Sequence, residues 1–322
     1  MTLGYLYTAI SLALMGLVLC FGAPSLSATI IGASLAIALT GVPHGGLDHW
    51  TGREFLAPRF PKSWWIVFFP SYLAIGIIIV AFWFFAPVIM AIGFFVLSAW
   101  HFGREEEESR EAAPCRSGPN ETRTPSSVYG HLSAIAIGGL VIWIPALMRP
   151  QEMDWLVSML VASNDPTASG WIVKGTRWIA IALVPLALTI VAQRLHRDSR
   201  DIRNWIPLLT TGLSTVTPIL ISFTVYFCAW HSILGLQRLR QREGLSLSQF
   251  AYAVAPLSTL AILGIMTMGW FFSRDISSLI EPEWISIKTL FIGLSAIAVP
   301  HILLHEAVGR AEQEAVPLEV LS

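Results

Sequence analysis

Long apolar stretches alternate with short polar breaks along the whole chain. They lie near 4–21, 26–43, 64–85, 87–102, 128–147, 171–192, 205–217, 218–237, 251–272 and 286–304. Most approach the ~20 residues that a helix needs to cross a hydrocarbon core. The pattern predicts an all-α fold, a polytopic membrane helix bundle of about eight to ten transmembrane segments. The run 205–237 is too long for one span and is divided at Pro218, which removes a backbone hydrogen bond from a helix. Its first piece, 205–217, is short enough to be re-entrant.

Composition supports the membrane reading. The chain is 54% hydrophobic and only 13% charged, whereas a soluble domain carries roughly 25% charged residues. Mean hydropathy is +0.64. A net charge of −1 gives no sign of a nucleic-acid partner. Cys20, Cys115 and Cys228 are odd in number and have no CxxC spacing, so neither a disulfide framework nor a zinc knuckle is indicated. The first apolar stretch lacks the basic start of a secretory signal and reads as the first span. One integral membrane domain is expected over 1–322. Within it, the acidic and then Pro/Ser/Gly-rich segment 104–127 reads as a mobile cytoplasmic loop.

Lysine and arginine set the orientation. Treating Pro218 as a turn puts fifteen of the twenty on one face, among them Arg53, Arg104, Arg194, Arg238 and Arg310. The other face keeps Arg149, Lys174, Arg177, Arg274 and Lys288. Both termini are therefore expected in the cytoplasm, with the protein in the inner cell membrane. The match of "NET" at 120–122 to a glycosylation acceptor is discounted on this cytoplasmic face.

Five histidines end spans that run toward that same face: His44, His101, His231, His301 and His305. Ionisable residues within membrane segments usually face the bundle interior and mark function. Imidazole suits iron, copper, zinc and nickel rather than calcium or magnesium. One imidazole from each of four helices predicts a single-metal site on the cytoplasmic side. Neutral ligands would leave the charge of Fe(II) uncompensated, with open positions for dioxygen. Asp48 is one turn after His44 and would lie on the same face if the helix continued, where it would orient the ligand imidazole. Glu306, directly after His305, is a second candidate orienter, and His131 at the start of the fifth span is a further second-shell or ligand candidate. His49 points away from His44, and His196 sits in a charged loop. Trp100 and Trp230, each directly before a candidate ligand, are expected nearest the metal and the substrate.

The segments "PHGGLDH", "SAWHFGREE", "FCAWHS" and "VPHILLHE", in this order on a polytopic chain, resemble the Brp/Blh-type β-carotene 15,15′-dioxygenase family. The resemblance covers roughly residues 40–306. It implies an iron-dependent membrane enzyme that splits the central double bond of β-carotene with dioxygen to give retinal. The implied partners are the lipophilic carotenoid, dioxygen, membrane lipid and a retinal-binding rhodopsin. His44, His101 and His231 match the family's motif histidines. Gly235 stands where the family has a second histidine after His231, so His301, His305 or His131 is left to supply a fourth ligand. A histidine-lined metal or proton transporter is the competing class. A non-catalytic carotenoid- or rhodopsin-binding relative is the third, kept open by Gly235.

Overall fold

The computed structural model describes residues 3–111, 128–161, 167–274 and 282–315, and every regular element among them is helical. The first half contains α1 (Leu3–Phe21), α2 (Leu26–Ala36), α3 (Val42–His44), α4 (Asp48–Leu56), α5 (Trp64–Phe85), α6 (Pro87–Glu111), α7 (Val128–Gly138) and α8 (Leu140–Met148). There follow α9 (Pro150–Val161), α10 (Ala168–Arg197), α11 (Ile206–Val216), α12 (Ile219–Val225), α13 (Ile233–Arg242), α14 (Leu247–Arg274) and α15 (Pro282–Ala315). Two π-helical segments, Ile37–Gly41 and Tyr226–Ser232, interrupt the second and the sixth of the long spans. Eight helices among the described residues are long and apolar enough to cross a membrane, or nine if α7 and α8, bent by 56°, form one span. The protein is thus an all-α, polytopic membrane helix bundle. The segment 205–217 becomes α11, whose 11 residues fall short of a span. It ends where Thr217 turns extended before Pro218, the break expected from the proline.

The helices group into two compact units, Met1–Thr40 with Pro87–Arg238, and Gly41–Ala86 with Leu239–Ser322. In the first, α10 packs on α7, α8 and α9, while α6 lies along α7. That approach depends on missing side chains. A Cβ on Gly103 would collide with the backbone of Ala134, and one on Gly138 with the backbone of Ala99 and Gly103. Small residues bring membrane helices to this distance, where van der Waals contact takes over from the hydrophobic effect. Fully buried Leu140, Trp143, Val157 and Leu160 fill the core behind them. Tyr7 of α1 reaches α11, its hydroxyl 2.8 Å from Thr210 Oγ1.

The start of the expected loop is corrected. Residues 104–111 continue α6 instead of leaving it, because their charges are paired along and across helices. Arg104 meets Glu108 and Arg110 meets Glu106 at i,i+4 spacing. Arg194 of α10 pairs with Glu106 and Glu107. Arg110 also donates to Asn204 Oδ1 at 2.5 Å and to the carbonyl of Arg203 at 2.8 Å. The rest of the expected loop, 112–127, lies outside the described residues.

In the second unit α15 packs on α4, α5 and α14. The buried Trp83 indole donates to Ser295 Oγ at 2.7 Å and ties α5 to α15. Gly293 lies against Ile265, and Gly269 against Thr289, which keeps α14 close to α15. Arg242 pairs with Glu54 at the edge of this unit.

Candidate metal centre

Each unit gathers two imidazoles and a carboxylate. In the first, α6 supplies His101 and, one turn later, Glu105. The π-helical segment Tyr226–Ser232 supplies His231. One donor atom from each lies within 4.8 Å of the others. His231 Nδ1 is 2.8 Å from Glu105 Oε2, and the rings of His101 and His231 meet edge-on at 5.1 Å. His231 is only 3% exposed. Phe102 and Phe227 cover its ring, with centroids at 4.6 and 5.8 Å. Arg238 closes the group from α13, 3.8 Å from Glu105 Oε1.

In the second unit the chain leaves α3 at His44, turns through residues 45–47 and enters α4 at Asp48. Glycine is required in that turn, since a Cβ on Gly46 would come within 2.6 Å of Ser258 Oγ on α14. Asp48 is 5% exposed. His301 Nδ1 lies 2.8 and 3.0 Å from its two carboxylate oxygens, and His305 Nε2 lies 3.9 Å from Oδ1. Tyr72 donates its hydroxyl to Asp48 Oδ2 at 2.6 Å. The ring of His301 is 4.4 Å from that of His305, one turn along α15, and 4.9 Å from that of His44.

These donor sets fit a divalent transition metal. When a carboxylate accepts from Nδ1, the neutral imidazole keeps its lone pair on Nε2, the atom a metal takes. Two histidines with one carboxylate is also a donor set of non-haem Fe(II) centres. Each cluster thus adds a carboxylate, Glu105 or Asp48, to the expected imidazoles. Asp48 serves His301 across the fold, since the helix breaks between His44 and Asp48 and the assumed i,i+4 relation is lost.

The remaining expected site residues stand elsewhere. Trp100 donates its indole N–H to His131 Nδ1 at 3.1 Å, and His131 stays outside the metal-competent group of its unit. Trp230 is buried against Tyr7, with centroids 5.7 Å apart. His49 stacks on Phe69 at 6.3 Å, and His196 is exposed near the end of α10. Glu105 and Tyr72 were not foreseen. Glu105 falls in a stretch whose charge reads as a loop, although it stands four residues after His101 as Asp48 does after His44. Tyr72 carries no sequence signal, being one aromatic residue in an apolar span.

The β-carotene 15,15′-dioxygenase family model matches residues 35–308. A β-carotene 15,15′-dioxygenase from an uncultured marine bacterium, 66A03, is 25% identical over 291 residues, covering 88% of this chain and 95% of that protein. A protein from Halobacterium salinarum described as a probable β-carotene 15,15′-dioxygenase is 24% identical over 287 residues, covering 81% and 79% of the two chains. No solved structure matches. The family match takes in both histidine–carboxylate groups, and on its extent the chain belongs to the β-carotene 15,15′-dioxygenase family.

Proposed function

We propose that the protein is an integral membrane dioxygenase that cleaves the central double bond of β-carotene, or of a close relative, to give retinal. The observation that carries the reading is that two histidines and a carboxylate gather in each unit of a chain of this family. His101 and His231 in the first unit, and His44, His301 and His305 in the second, are the ligand candidates for iron, which when bound would supply the binding and activation of dioxygen. Asp48 and Glu105 fix the tautomers of His301 and His231 and offset the cation's charge. Gly235 offers no donor one turn after His231, and Glu105 is the charged donor beside that imidazole instead. Burial of His231, Asp48 and His301 keeps water from the reacting groups. A hydrocarbon polyene offers no hydrogen bonds, so its cleaved bond is selected by shape and position. The retinal formed would leave through the bilayer toward a retinal-binding rhodopsin.

Metal analysis of the purified protein, with retinal measured in a β-carotene-producing host, tests this. Wild-type protein is expected to carry iron and to form retinal. His101→Ala and His231→Ala are expected to lose most of both. Protein without iron that cleaves no carotenoid would overturn the proposal, and metal uptake by proteoliposomes without cleavage would favour a transporter.

A further inference from the structure

Within the second unit, α5, α14 and α15 line an open-sided cavity of about 870 Å³. Its lining is almost wholly apolar, with Leu73, Val80 and Phe84 on α5 facing Leu257, Ala261 and Met268 on α14. The polar side chains on its wall are Asp48, His49, Tyr72 and Ser258. Three of these are engaged within the protein, since Tyr72 donates to Asp48, Asp48 also accepts from His301, and Ser258 donates to the Val254 carbonyl. Along α5 the wall runs from Phe68 to Phe85. Seventeen residues at the helical rise make that ~25 Å.

We infer that this cavity binds one arm of an unbroken hydrocarbon polyene, with the reacting part of the chain at the Asp48 end; the inference rests on the dioxygenase reading above. The shape suits it, because a carotenoid is nearly as long as the ~30 Å hydrocarbon core and half of it fits the depth of the wall. The chemistry suits it as well. A wall this poor in spare donors and acceptors rewards a ligand that needs none. A fatty acid or phospholipid would have to bring its anionic head to the carboxylate of Asp48 or leave that end unfilled. Gly264 controls the width: it lines the cavity, and a Cβ built on it meets no atom within 4 Å. A large side chain there would extend into the cavity without striking the helices. Gly76 and Gly293 differ, because their added Cβ atoms would press on Ala296 and Ile265.

The test reads binding without turnover. Protein is purified without oxygen and in chelator from a β-carotene-accumulating host, and retained pigment is measured by absorbance per mole of protein. Wild-type protein is expected to retain pigment, and Gly264→Phe about tenfold less, the ratio that ~1.4 kcal/mol of lost binding gives. Gly32→Phe, on an exposed stretch of α2 with no atom near its Cβ, is expected to match wild type. Should Gly264→Phe fail to fold, Val80→Phe on the facing wall carries the same expectation. Equal retention by wild type and Gly264→Phe, or phospholipid rather than pigment found by mass spectrometry, would overturn the inference. Pigment retained by wild type and lost in Gly264→Phe, with no retinal formed by aerobic iron-loaded wild type, would uphold the cavity and sink the dioxygenase reading. Undiminished retinal formation by Gly264→Phe would do the reverse.

Discussion

Asp48 serves two donors at once, accepting from His301 Nδ1 and from the Tyr72 hydroxyl. An asparagine keeps the shape of this residue but not the arrangement. Its amide has one oxygen to accept with, and its NH₂ would face either the tyrosine or the imidazole N–H as a second donor. The tautomer of His301 is then no longer fixed and the negative charge is gone. Asp48→Asn is expected to lower metal affinity ~10–100-fold, the usual effect of losing such an orienting partner. Tyr72→Phe leaves the carboxylate in place and should cost less. Competitive metal titration of the purified variants measures both, and an Asp48→Asn protein with wild-type affinity would remove the carboxylate from the site's chemistry. Asp48 was legible as an orienting carboxylate because it stands at the end of an apolar span. Its partner was not, because the i,i+4 rule holds only inside an unbroken helix, and here residues 45–47 form a turn.

Two elements decide how the histidines of the first unit are presented. The π-helical segment Tyr226–Ser232 holds His231. One residue added to an α-helix rotates all that follow by ~100°. Nothing in "YFCAWHS" announces that insertion, so the span was foreseen but the direction of His231 was not. The second element is the seam between α6 and α7. Gly103 lies between His101 and Glu105, and its position against the Ala134 backbone leaves no room for a side chain. Backbone cannot move aside as a flexible side chain can, so Gly103→Ala is expected to destabilise the protein by at least the ~1–3 kcal/mol of ordinary overpacking. Thermal unfolding in detergent checks this, with Gly175→Ala, where a Cβ meets nothing within 4 Å, as the neutral comparison. Equal melting temperatures for the two variants would mean that the seam is looser than its geometry.

For the molecule as a whole, apolar run length anticipated the helical bundle, because a bilayer leaves the backbone few other ways to satisfy its polar groups. Proline chemistry anticipated the break at Pro218. The carboxylates of α6 were misjudged for a related reason. A charge run looks like a solvated loop in one sequence, and only the fold brings Arg194 to Glu106. Such arginines also carry the topology. Fifteen of the twenty basic residues fall on the face assigned to the cytoplasm when Pro218 is a turn. The proposal makes a definite claim about two positions. Cys115, between the fourth and fifth spans, should be shielded from a membrane-impermeant maleimide in intact spheroplasts and react once they are lysed. A cysteine introduced by Ser163→Cys, in the sequence between α9 and α10, should react before lysis. The reverse pattern would invert the chain, move the histidine ends of the spans to the outer face, and require dioxygen and carotenoid to be met there.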